Sequence, residues 1–255
     1  MIAVNFKEIK FEKFPNGETR MVKESFPKIS GDFLSVSFKF EDDSDLIKLM
    51  FVKSYLDQIL LSKNFKIVLN VSYMPYSRMD RIENDSPFTL KYVASFINSL
   101  GFDSIRIVEP HSDVTTALVN NSTAIMCNSE YLLEEVKQDV EFKDEIDYIV
   151  FPDGGASKRY SSVSAKNILI GHKHRDFETG EIKSLNIIGD VNEKGKKAII
   201  VDDLSSYGGT FVATSKELKK LGIEEVYLLV AHAENSIFKG ELFNHVDKIF
   251  TTNSI

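Results

Sequence analysis

The stretch Ile199-Ile-Val-Asp-Asp-Leu-Ser-Ser-Tyr-Gly-Gly-Thr210 constrains the fold more than any other part of the chain. Its lead-in, Ala198-Ile-Ile-Val201, is apolar at every position. It therefore reads as a strand buried on both faces, which a parallel sheet covered by helices requires. Two adjacent acids and a run of small residues follow, and Gly208-Gly209-Thr210 opens a helical pattern that reaches Leu221. A strand that turns in this way into a helix leaves its loop at the carboxyl end of the strand, where α/β sheets bind ligands.

The same alternation runs along the whole chain. Phe33–Phe40 alternates with period two, Ser44–Leu61 is apolar at helical spacings, and Phe65–Val71 is a short buried-strand run. Ser86-Pro87 reads as an N-cap and first helical residue, with Leu90, Val93, Ala94, Ile97 and Leu100 on one face and Gly101 as the stop. Ile105–Glu109, Tyr148–Phe151, Ile168–Ile170 and Val226–Val230 complete the strand signals. The expected fold is α/β, in two halves with mainly parallel sheets. An internal echo supports the division: Leu100-Gly101 and Leu221-Gly222 each precede a strand, and each Gly is followed ten residues later by a histidine, His111 and His232. The expected domains are 1–128 and 129–255.

Composition excludes several classes. There are 31 Lys+Arg against 38 Asp+Glu, a net charge of −7, which disfavours general nucleic-acid binding. No apolar run approaches the ~18 residues of a membrane span, and Lys7, Glu8 and Lys10 interrupt any signal-like start. The single cysteine, Cys127, cannot form an internal disulfide, so a cytoplasmic location is expected.

The chemistry that suits the 199–210 stretch is a sugar phosphate. Gly208 and Gly209 let backbone N–H groups approach an anion, the helix N-terminus adds partial positive charge, and Ser205, Ser206 and Thr210 offer hydroxyls. Asp202 and Asp203 can accept from neighbouring ribose hydroxyls. The ordinary alternative is a strand–turn–helix with Asp in the turn.

This string resembles the phosphoribosyl-diphosphate motif of type I phosphoribosyltransferases and ribose-phosphate diphosphokinases. Further stretches, in order along the chain, are similar to the second family (phosphoribosyl diphosphate synthetases): Phe14-Pro-Asn-Gly-Glu18, Met74-Pro-Tyr-Ser-Arg-Met-Asp-Arg81, Val108-Glu-Pro-His-Ser112, Phe151-Pro-Asp-Gly-Gly-Ala-Ser-Lys-Arg159, His172-Lys-His-Arg175 and Asn186-Ile-Ile-Gly-Asp190. Met79, Asn16, Glu109 and Tyr207 stand where the family has Gln, Asp, Asp and a small hydroxyl residue.

The resemblance implies two phosphoribosyltransferase-like halves and transfer of the β,γ-diphosphate of ATP, with Mg2+, to the anomeric hydroxyl of ribose 5-phosphate. Such transfer needs charge neutralisation more than covalent help, and Lys173 and Arg175 are expected to supply it from a mobile surface loop containing Glu178, Thr179 and Gly180. A solvated basic loop is the alternative. Phe14, Asn16, Glu18, Arg78, Asp80 and His111 are implied to bind ATP, the first three by reaching a neighbouring subunit's adenine in a homo-oligomer. His111 and Asp153 are implied metal ligands; a structural histidine and a turn aspartate are the alternatives. Asp202, Asp203, Ser205, Ser206, Tyr207, Gly208, Gly209 and Thr210 would hold the ribose phosphate. Because Tyr207 is bulky, ADP-ribose is a rival acceptor, which would place the reaction in NAD salvage. A non-catalytic regulatory relative is a further alternative, and a salvage phosphoribosyltransferase is disfavoured by the ATP-side motifs.

Overall fold

The longest strands lie in the second half of the chain. The computed structural model describes residues 1–60, 65–83, 86–175, 182–192 and 196–255, and the side chains of all of these but 174, 175, 182 and 183. The chain divides into two compact units, Met1–Ile125 and Met126–Ser254. The division precedes the expected one by three residues. Met126 already belongs to the helical entry of the second unit, its carbonyl accepting from the N–H groups of Ser129 and Glu130.

The first unit contains β1 (Ile2–Val4), β2 (Lys7–Glu8), β3 (Phe11–Lys13), β4 (Thr19–Met21), β5 (Phe33–Phe38), α1 (Ser44–Leu60), β6 (Lys66–Val71), α2 (Thr89–Ser99), β7 (Ser104–Val108), α3 (Asp113–Leu118) and β8 (Ser122–Ile125). Its sheet has the order β2-β1-β5-β6-β7-β8. β5 to β8 are parallel, and β1 runs antiparallel to both of its neighbours. β3 and β4 form a separate hairpin. Burial along β5 alternates, with Leu34, Val36 and Phe38 inside, as its period-two pattern requires. The expected start of α2 at Ser86-Pro87 is corrected. Ser86 pairs with Glu83 in an antiparallel bridge, its N–H donating to the Glu83 carbonyl, and the helix begins at Thr89.

The second unit contains α4 (Leu133–Asp139), β9 (Tyr148–Phe151), α5 (Gly154–Arg159), β10 (Ile168–Arg175), β11 (Ile182–Ile188), β12 (Lys197–Ser205), α6 (Gly209–Lys220), β13 (Glu225–Ala233) and β14 (Lys248–Thr251). The sheet order is β11-β10-β9-β12-β13-β14, all parallel except β11. This sheet is covered on both faces. Ile199 and Val201 pack with Tyr160 and Phe151, while Ala198 and Ile200 pack with Phe211 and Leu218. Burying each such side chain contributes about 1.5–3 kcal/mol, enough to explain why β12 is wholly apolar from Ala198 to Val201.

Two sequence expectations change here. β12 does not end at Val201. Its pairing with β13 continues through Asp202↔Val230 and Leu204↔His232 to Ser205↔Ala233, so both acids lie in the strand. β10 does not end at Ile170 either. It continues to Arg175 because β11 pairs with it antiparallel, Lys173 opposite Leu185 and His174 opposite Ser184. Lys173 and Arg175 are therefore strand residues; Glu178, Thr179 and Gly180 lie outside the described residues. No helix among the described residues is long and apolar enough to cross a membrane.

Candidate active site

The second unit gathers the acceptor-side residues around the ends of β12 and α5. Asp203 is buried and Asp202 nearly so, and both carboxylates meet one guanidinium: Arg159 Nη1 lies 3.1 Å from Asp202 Oδ1 and 2.6 Å from Asp203 Oδ1. Asp202 Oδ1 also accepts from the Asp203 N–H at 2.9 Å. Burial pushes the Asp202 carboxyl well above the usual carboxylate range, and the Asp203 charge adds to this while Arg159 opposes it.

Beyond β12 the chain turns through Ser206 and Tyr207 into α6. Gly208 makes the turn at φ +79°, and a Cβ there would stand 2.7 Å from a Leu242 methyl carbon, so the position demands glycine. The first N–H groups of α6 thus lie one turn beyond the strand that carries the acids, an arrangement suited to an anion. The hydroxyls differ in their availability. Ser205 is buried with its hydroxyl directed at the Ser206 carbonyl, which corrects its expected place in the open loop. Ser206 Oγ shares a hydrogen bond with Ser236 Oγ at 3.0 Å. Thr210 is half-buried and Gly209 exposed. Tyr207 is 60% exposed.

α5 joins this loop to the basic strand. Asp153 is its N-cap, accepting from the Ala156 N–H at 2.9 Å through Oδ1, and Lys173 Nζ lies 2.6 Å from Asp153 Oδ2. Burial by itself would raise the Asp153 carboxyl, but the Lys173 hydrogen bond, the N–H groups of Ala156 and Gly155 and the Lys173 charge outweigh it and hold the group below its usual range. β10 can pass this turn only because residue 171 is glycine: a Cβ there would lie 2.4 Å from the Pro152 carbonyl oxygen. The Arg175 side chain lies outside the described ones.

The ATP-side residues of the first unit fall in two places. Phe14, Asn16 and Glu18 share the exposed tip of the β3–β4 hairpin. There Asn16 Nδ2 donates to Glu18 Oε2 at 2.8 Å, and Arg20 stands over the Phe14 ring at 6.0 Å. Asp80 and the His111-Ser112 turn form the second group, since Ser112 Oγ donates to Asp80 Oδ2 at 2.6 Å. Asp80 is buried, Arg78 exposed and His111 half-buried. Glu109 is buried at φ +41°.

Both Asp153 oxygens are engaged, one of them by an ammonium group, and no group of three or more His, Cys, Asp or Glu gathers among the described residues. The described residues alone offer no cage, and magnesium commonly arrives on substrate phosphates and retains water. A cleft of about 940 Å³ between the last turns of α6 and Phe243–Asp247 contains none of the sequence-selected residues.

Sequence reasoning missed three contributors. Arg159 was visible at the end of the Pro152–Arg159 motif but carried no assigned role. Asn128, whose Nδ2 donates to Tyr160 Oη at 3.0 Å and to the Asp202 carbonyl at 2.7 Å, left no sequence signal, and neither did the close approach at Gly171.

No family model matches the chain. Curated relatives do. A ribose-phosphate pyrophosphokinase of Sulfurisphaera tokodaii is 26% identical over 261 aligned positions, covering all of this chain and 87% of the relative. One from Thermococcus kodakarensis is 29% identical over 263 positions, covering 97% and 86%. Among solved structures, the phosphoribosylpyrophosphate synthetase of Mycobacterium smegmatis superposes with a TM-score of 0.72 over 98% of this chain and 81% of its own, at 19% identity, a likeness of fold. The two-unit α/β fold is thus the type I phosphoribosyltransferase fold, and sequence matches along the whole chain show that this protein is similar to the ribose-phosphate pyrophosphokinases.

Proposed function

We propose that the protein transfers the β,γ-diphosphate of magnesium-bound ATP to the anomeric hydroxyl of ribose 5-phosphate, yielding phosphoribosyl diphosphate and AMP. The observation that carries this reading is the placement of Asp202 and Asp203 on the strand that turns into the α6 N-terminus, with Asp153, the partner of Lys173, capping the short helix that carries Arg159. The acids accept from the ribose hydroxyls, and the α6 N–H groups with Thr210 take the 5-phosphate. The anomeric oxygen attacks the β-phosphorus. The bond from that phosphorus to the oxygen bridging the α- and β-phosphates breaks, AMP leaves with that oxygen, and the anomeric proton passes to solvent. Lys173 exchanges Asp153 for the charge that builds on the transferred group. His111, Arg78, Asp80 and the Phe14–Glu18 tip serve ATP.

A second acceptor, ADP-ribose, is favoured by the exposed Tyr207 ring, which can stack on an adenine at the outer edge of the loop. Ribose 5-phosphate and ADP-ribose are distinguished by AMP release from ATP and magnesium with each in turn, wild type beside Tyr207→Thr. Acceptor-dependent AMP release establishes the enzyme, and the preferred acceptor follows from kcat/KM. Ligand binding with no AMP from either acceptor would instead make the protein a regulatory relative. The reading includes a homo-oligomer in which the Phe14 tip serves a neighbour. Mixing Phe14→Ala and Lys173→Ala chains is then expected to restore activity that neither has alone, and a fully active monomer by light scattering would refute that arrangement.

A further inference from the structure

Asp202 and Asp203 are adjacent in a strand, and adjacent strand side chains leave opposite faces of the sheet. Left to themselves, two such carboxylates neither converge on one ligand nor ionise together easily, because like charges in a partly buried site repel. Arg159 resolves both difficulties. Its Nη1 touches one oxygen of each carboxylate, and its own side chain is only 14% exposed. The guanidinium is in turn restrained, lying 5.9 Å over the Tyr160 ring, while Tyr160 Oη and the Asp202 carbonyl are both tied to the buried Asn128 amide. Backbone and side chains of the acid pair are thus fixed from two directions, by Asn128 and by Arg159. A carboxylate has about four acceptor sites, so one held by Arg still accepts from a hydroxyl.

We infer that Arg159 is a positioning residue: it converges Asp202 and Asp203 on the vicinal hydroxyls of a ribosyl phosphate, and so governs acceptor affinity and not the rate of diphosphoryl transfer. This rests on the ribosyl-phosphate reading of the site. The charged groups that act most on Asp202 are Asp203, Arg159 and, more weakly, Asp153. A carboxylate deprived of Arg159 ionises at higher pH, so acceptor binding must move with it.

The test combines Arg159→Met and Arg159→Lys in the full chain. With ribose 5-phosphate as probe, the Met variant is expected to raise KM for the acceptor by about 10–100-fold, the scale of a lost charge-assisted hydrogen-bond pair. KM for ATP is expected to stay unchanged and kcat within about threefold. The acidic limb of its kcat/KM profile moves to higher pH. The Lys variant, which keeps a cation between the acids, recovers most of the affinity. A fall in kcat at unchanged acceptor KM would show Arg159 acting on the transferred phosphates, and a lowered acceptor KM would show it competing with the ribose; either result overturns the proposal, as does no change. If the Met variant fails to fold by circular dichroism, the Lys variant's intermediate KM and pH profile decide. Should wild type release no AMP, calorimetric binding of ribose 5-phosphate to wild type and to the Lys variant still tests Arg159, and the two failures remain distinct.

Discussion

The two echoed segments, Leu100–His111 and Leu221–His232, begin alike and end differently. Each opens with a glycine at positive φ, +65° at Gly101 and +92° at Gly222, and each then enters a parallel strand. β7 stops at Val108. Glu109 turns to φ +41° and Pro110 has no N–H to continue a ladder, so His111 emerges half-buried beyond the sheet. β13 carries no such break and runs to Ala233 against an equally long β12. His232 is consequently sealed in the second unit, its Nδ1 2.7 Å from Ser254 Oγ. Equal spacing in sequence thus yields one histidine half-buried beyond the sheet and one built into the core. The length of the strand decides, and with it whether the neighbouring strand carries its acids inside the sheet.

The comparison breaks first at Lys173. The proposed chemistry lies on the long-stranded unit, so Lys173→Ala is expected to reduce kcat about 10²–10³-fold, the scale of one lost transition-state charge contact, with ATP affinity and thermal stability nearly unchanged. A kcat within about threefold of wild type would remove Lys173 from the chemistry. The histidines sharpen the contrast by opposite readouts. His232→Ala is expected to lower stability by about 1–3 kcal/mol in urea unfolding, because a buried imidazole and its hydrogen bond with Ser254 are lost. His111→Ala should change stability by less than ~0.5 kcal/mol yet lower kcat/KM for ATP about tenfold or more. Equal stability losses would erase the distinction drawn from strand length.

The smallest effect is a pH dependence of opposite sign at two carboxylates of the second unit. The Asp202 pKa is raised on folding, so the native state binds the extra proton. This contribution is fully present below about pH 4 and is lost as pH rises through the raised native value. Asp153 has the opposite sign: its lowered value contributes stability above about pH 4 that is lost in stronger acid. Asp202→Asn is accordingly expected to gain stability on wild type between about pH 4 and pH 8, and Asp153→Asn to lose it. The check is unfolding in urea across that range.

Much of this was legible in the residues. The apolar runs around Val201 and Leu69 mark strands whose both faces are covered, and the Gly208 turn is announced by small residues before a helical pattern. Strand ends were not legible. Polar residues such as Asp202 and Lys173 resemble loop residues locally and are kept in strands by partners distant in sequence, β13 and the antiparallel β11. The start of α2 was misplaced for a similar reason, since Ser86 is claimed by the bridge to Glu83 before it can cap. Within the site, the acids and the glycine loop stood out by composition. Arg159 and Asn128 did not, because a bridge between carboxylates and a buried amide depend on convergence in space.

The central claim is that the acid pair and the loop after β12 present a ribosyl phosphate for diphosphoryl transfer. It is tested most directly by following phosphorus NMR of ATP and magnesium with ribose 5-phosphate or ADP-ribose. The account predicts that the β- and γ-phosphorus atoms appear together on the anomeric oxygen of the acceptor, in equal amount to AMP, and that Asp202→Asn with Asp203→Asn abolishes the transfer. Release of ADP and inorganic phosphate, or transfer undiminished in the double variant, would contradict it.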